Sequence, residues 1–104
     1  MKDRFEELTN RLQQAVLFGP GDLDSSIRQA AATSRDVPEP MKGYAEKVAL
    51  HAYKVTDEDV EALLEAGYSE DQIFELTVSV ALGAALSRRN AGLESLRKGQ
   101  SDAT

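Results

Sequence analysis

The stretch Ile73-Phe74-Glu75-Leu76-Thr77-Val78-Ser79-Val80-Ala81-Leu82-Gly83-Ala84-Ala85-Leu86 decides how this chain folds. Its apolar residues do not alternate as a half-buried strand requires. They spread around the whole circumference of a 3.6-residue period, which predicts an interior helix. Gly83 within it predicts close approach of a neighbouring backbone. A domain of about a hundred residues buries roughly two-thirds of the surface its unfolded chain exposes. Fourteen residues apolar on every side are hard to cover in a chain of 104. The expectation is a helix buried on all sides, partly by another subunit.

Working outward, Ser69 and Gln72 form a capping box at its start, and Glu70 and Asp71 complement the helix dipole. The pattern predicts a helix from about 70 to 97, polar after Ser87, with Leu93 and Leu96 as a residual stripe. Residues 99–104 read as a disordered polar tail. Upstream, Thr56 caps a helix whose first turn holds Asp57, Glu58 and Asp59. Val60, Leu63 and Leu64 are its contacts, and Gly67 ends it in the left-handed conformation. A third helix is expected over 40–54, with Pro40 in its first turn. Met41, Tyr44, Val48, His51 and Val55 share its apolar face. The loop 34–40, with Pro38 and Pro40, separates it from a short Ala-rich helix over 23–33, capped by Asp22 and striped by Leu23, Ile27, Ala30 and Ala31. The first helix, over 3–18, presents Phe5, Leu8, Leu12, Ala15 and Val16 on one face, and Gly19-Pro20-Gly21 stops it. The reading is an all-α bundle of about five helices, one domain over 1–98, with neighbours packed antiparallel.

Composition narrows the functional classes. Eighteen acidic and twelve basic side chains give a net charge of −6, which repels phosphate backbones and argues against nucleic acid. No cysteine is present, so thiolate nucleophiles, disulfides and Cys-ligated metals are excluded. The first residues are charged and lack an apolar signal core, and no apolar run reaches the roughly 20 residues that span a bilayer. The expected setting is the cytoplasm, with no membrane contact.

His51 is the single histidine. On the apolar face of its helix it reads first as a hydrogen-bonded core residue, and second as a general acid or base. Glu75 is the carboxylate able to approach it across helices. Glu70, Asp71 and Glu75 otherwise read as solvated first-turn acids. Arg88 and Arg89, adjacent and about 100° apart on a helix, read first as surface or interface salt-bridge partners, and second as placing one guanidinium within reach of a carboxylate-bearing ligand or a neighbouring subunit's acid. No His-x-x-x-His or Glu-x-x-His spacing occurs, so neither a metal nor a cofactor is expected. Tyr44, Tyr53 and Tyr68 read as core rings with hydroxyls at the rim.

The segment from Val55 through Thr56-Asp57-Glu58-Asp59 and Gly67-Tyr68-Ser69-Glu70-Asp71-Gln72-Ile73 to Leu76 resembles the carboxymuconolactone decarboxylase-like and AhpD-like (alkylhydroperoxidase) superfamily. There a helix ends in Gly, a short turn follows, and an acid-x-Ile sequence opens a long apolar helix. Val48-Ala49-Leu50-His51-Ala52-Tyr53 and the Ala/Gly-rich stretch from Ala81 to Leu86 also look like it, so the likeness covers roughly residues 40–97. It implies an AhpD-like helical bundle that assembles through its long C-terminal helix as a dimer, trimer or hexamer. Peroxidase members carry Cys-x-x-Cys and a following His. Aligned on Gly67, those positions fall near Ala52, Val55 and Asp59, so thiol chemistry does not carry over. What remains is a non-redox oligomeric module that binds a small, carboxylated molecule or a protein partner. The alternative is a cofactor-free, lactone-decarboxylase-type enzyme with His51 as acid/base and Arg88 or Arg89 as anion clamp.

Overall fold

Helix ends written into the sequence set the architecture. The computed structural model describes residues 4–33 and 35–102, with backbone alone for Phe5 and for 100–102. Asp3, Ser34, Ala103 and Thr104 lie outside the described residues. Helix α1, Arg4–Gln13, winds on into a π turn, Gln14–Phe18. Then come α2, Ser25–Thr33; α3, Met41–His51, with a 3-10 turn, Ala52–Lys54; α4, Asp57–Glu65; and α5, Glu70–Asp102. No strand occurs among the described residues.

The caps of α4 and α5 follow the sequence reading. Thr56 Oγ1 accepts from the Asp59 amide, and the Asp59 carboxylate accepts from the Thr56 amide at 2.8 Å. Lys47 Nζ lies 2.9 Å from the same carboxylate. Gly67 takes φ +105°, the left-handed position that ends a helix cheaply only in glycine. The Tyr68 amide then reaches back to the Leu63 carbonyl at 3.1 Å, and Gly67 to Leu64 at 3.0 Å. Ser69 and Gln72 exchange amide bonds at 3.1 and 2.9 Å. At α2 the cap differs from expectation. The helix starts after Asp24, whose carbonyl accepts from Ile27 and Arg28, because the Asp22 amide is held from outside by Glu75.

The core lies where α5 meets α2, α3 and α4. Ile73, Leu76 and Val80 of α5 pack with Ala31, Met41, Tyr44, Ala45, Val48 and Leu63. At Gly83 any side chain would overlap the Ala32 backbone of α2, so the expected close approach is real. Thr77 Oγ1 donates to the Ile73 carbonyl at 2.7 Å. The Tyr44 hydroxyl, 2.7 Å from the same oxygen, is therefore the donor to it.

The chain by itself covers α5 only in part, and the end expected for that helix needs correction. Within this chain α5 is not enclosed all round. Leu76 and Val80 are 1% exposed, but Phe74 is 68% exposed and Ala81 and Ala85 are open. Helices α2, α3 and α4 and the π turn pack on the other sides of α5, and among the described residues Phe74, Ala81 and Ala85 stay open. Nor does α5 stop near 97. It runs to Asp102, because a lone Gly99 costs a helix only about 1 kcal/mol. Residues 99–102 of the expected tail are thus helical. From Ala91 to Gly99 every residue of the helix is exposed, and the molecule extends 57 Å along its long axis.

Candidate functional site

The segment Gly19–Asp24 is built by two charged side chains that reach it from different helices. Arg28, 4% exposed in α2, donates to the carbonyls of Leu23 at 3.0 Å, Val16 at 2.8 Å and Gly19 at 2.6 Å. It thereby satisfies acceptors that the π turn leaves open at its end. From α5, Glu75 accepts the Asp22 amide at 2.9 and 3.0 Å and the Leu23 amide at 2.8 Å. Gln72 Nε2 adds a bond to the Asp22 carbonyl at 3.2 Å. A side chain at Gly21 would collide with the Glu75 carboxylate. Glu75 is therefore neither a solvated first-turn acid nor a partner of His51. It holds a loop 53 positions away in sequence.

The sequence-predicted site residues do not converge. His51 is exposed, not in the core. Its backbone, at φ −144° and ψ 55°, has left the helix, so the period that carried Met41, Tyr44 and Val48 inward no longer applies to it. Its ring meets Tyr53 edge-on, centroids 6.0 Å apart. Tyr53 is itself 81% exposed rather than a core ring, with Lys54 Nζ 5.8 Å from its centroid. Arg88 is exposed and donates to the Ala49 carbonyl at the end of α3 at 3.0 Å. Arg89 is half-buried. Glu75 and Arg88 are thirteen residues apart on one helix, about 20 Å along its axis, and cannot share a small ligand within one chain.

Arg88 instead stands at the rim of an open cleft of about 820 Å³ between the π turn, α2, the end of α3 and the middle of α5. Leu17, Phe18 and Leu50 form its walls; Ala32, Ala49, Gly83 and Ala84 line it with small side chains; Ser87, Arg88 and Asn90 supply polar groups. Phe18 and Leu50 are 52% and 70% exposed. His51 does not line this cleft. No direct sign of it is legible in the sequence, because its lining comes from five elements. The one local hint was the run of small residues around Gly83.

Asp59 is held below the usual carboxylate range, first by the Thr56 amide and then by Lys47. Ser79 is fully buried, and its hydroxyl has no partner among the described residues. No three His, Asp or Glu side chains gather as a metal site among the described residues. No described helix is long and apolar enough to cross a membrane. Fold and cleft together define the class: an all-α protein with a small-residue cleft rimmed by arginine. Set against known proteins, the chain matches no family model, no curated protein and no solved structure.

Proposed function

We propose that this chain is a non-thiol protein of the carboxymuconolactone decarboxylase-like, AhpD-like type, working in the cytoplasm as a homo-oligomeric module that binds a small carboxylated molecule. One observation carries the reading. Phe74, Leu8, Leu12 and Leu96 are each at least half exposed while the core beside them is closed. Large apolar side chains left this exposed on a small domain mark an interaction surface. The cleft supports the ligand half, since an apolar lining with one guanidinium at the rim suits an acid with a hydrophobic body. The enzyme alternative asks His51 to face that cleft, and the ring stands outside it.

The test has two arms. Light scattering on the purified protein at micromolar concentration is expected to give the mass of two or more chains; a monomer at all concentrations would refute the assembly. Benzoate, as a probe carboxylate, is expected to shift the amide resonances of Leu50, Leu86 and Arg88 in a saturable way. Arg88→Gln removes that response. Shifts that persist in the variant, or none in either protein, contradict the ligand assignment.

A further inference from the structure

The open side of α5 carries a pattern that is complementary to itself. Phe74, Val78, Ala81 and Ala85 are spaced four, three and four residues apart and fall within an arc of about 60° on the helix. Phe74, Ala81 and Ala85 are exposed and Val78 is half-buried. This is the spacing of a coiled-coil seam. One end of it is flanked by Glu70 and Asp71, the other by Arg88 and Arg89.

From this we infer that two copies of the chain pair through α5 in antiparallel fashion, about a two-fold axis passing between Ser79 and Val80. The inference rests on the homo-oligomer reading and names its interface. In this register Phe74 of one chain faces Ala85 of the other, and Val78 faces Ala81. A large side chain meets a small one at each outer layer, and the alanines let the backbones approach closely. The same rotation brings Glu70 and Asp71 beside Arg88 and Arg89 of the second copy, so both ends of the seam close with opposite charges. A parallel pairing would set acid against acid and arginine against arginine. The two charged ends are eighteen residues apart, and the apolar layers are centred between them, so charge and packing select one register independently. A closed two-fold interface uses the same patch on both subunits, as this one does.

Helix α1 extends the patch. Ala15 and Val16 of the π turn line a recess with Phe74 and Val78. Leu8 and Leu12, 55% and 50% exposed, continue the Ala15 face by helical spacing.

The chain contains no cysteine, so introduced thiols report cleanly. Phe74→Cys and Ala85→Cys proteins, both surface changes, are mixed and oxidised with diamide, and the product is read by mass on a non-reducing gel. Circular dichroism confirms that each remains folded. The expected result is a covalent dimer from the mixture, more than tenfold above the yield of either variant alone. Phe74→Cys mixed with Leu96→Cys serves as the off-register control, because position 96 lies about 16 Å further along the helix than 85. Light scattering on the unmodified protein is run beside it. A dimer in solution without the 74–85 cross-link, or with the 74–96 cross-link in its place, overturns the register while leaving the assembly standing. A monomer by scattering overturns both.

Discussion

The two halves of α5 have similar helix-forming sequences and opposite fates. Between Glu70 and Leu86 one side is sealed, with Leu76 and Val80 1% exposed. Between Ala91 and Gly99 every residue is exposed, and Leu96 is 66% exposed. Helix propensity does not separate them. The neighbours do: α2, α3 and α4 all converge on the first half. Apolar periodicity therefore reports which faces want cover, and the remaining elements decide which of those faces receive it within one chain.

That contrast is open to direct attack, and the largest effect should come from its centre. Leu76→Ala, at a closed core position, is expected to cost about 2–5 kcal/mol in urea-induced unfolding. Leu96→Ala should change the stability of a single chain by no more than about 0.5 kcal/mol. Equal losses at the two positions would mean that the second half is as enclosed as the first.

The glycines sharpen the point. Gly83→Ala sets a methyl into the Ala32 carbonyl and is expected to destabilise by about 1–3 kcal/mol. Gly92, with nothing near its Cβ position, should gain about 0.5–1 kcal/mol on change to Ala, from helix propensity alone. Thermal melts of the pair read opposite signs, and a stabilised Gly83→Ala protein would show that α2 and α5 do not touch there.

Glu75 and Glu94 make the same comparison in charge. Glu75→Gln weakens charge-assisted bonds to two amides, worth about 1.5–3 kcal/mol together. It should also raise hydrogen exchange at Asp22 and Leu23. Glu94, exposed and 3.8 Å from Arg97, should contribute at most about 0.5 kcal/mol. Amide exchange that is unaltered at Asp22 would remove Glu75 from its structural role.

The smallest effect belongs to pH. The Thr56 amide and the Lys47 ammonium hold the Asp59 carboxyl below its ordinary value in the folded state. Its contribution is present above the unfolded pKa and fades as pH falls through the lower, folded one. Asp59→Asn is therefore expected to flatten the fall in melting temperature below about pH 4. An unchanged acid limb would assign that fall to other carboxylates.

Local signals were legible from the sequence and long-range ones were not. Thr56, Gly67, Ser69 and Gln72 act within a few residues of themselves, and each does what its pattern says. Gly83 was legible as a close approach but not as an approach to Ala32. His51 was misplaced because the period was extended across a break that no Gly or Pro marks. Glu75 was read as a first-turn acid because its partners, Asp22 and Leu23, lie more than fifty residues upstream. Arg28 gave no sign at all: a single arginine among alanines and serines looks solvent-exposed until the Gly-Pro-Gly bend turns three carbonyls toward it.

The reach of Glu75 also has a consequence for the order of events at the ribosome. The bend before α2 is emitted early, yet the carboxylate that closes it is translated fifty-odd codons later. Until then the Asp22 and Leu23 amides have water as their partner, and Arg28 alone holds the bend through its carbonyls. A chain truncated before residue 75 should therefore leave that bend unprotected, so the first third of this protein must wait for the last.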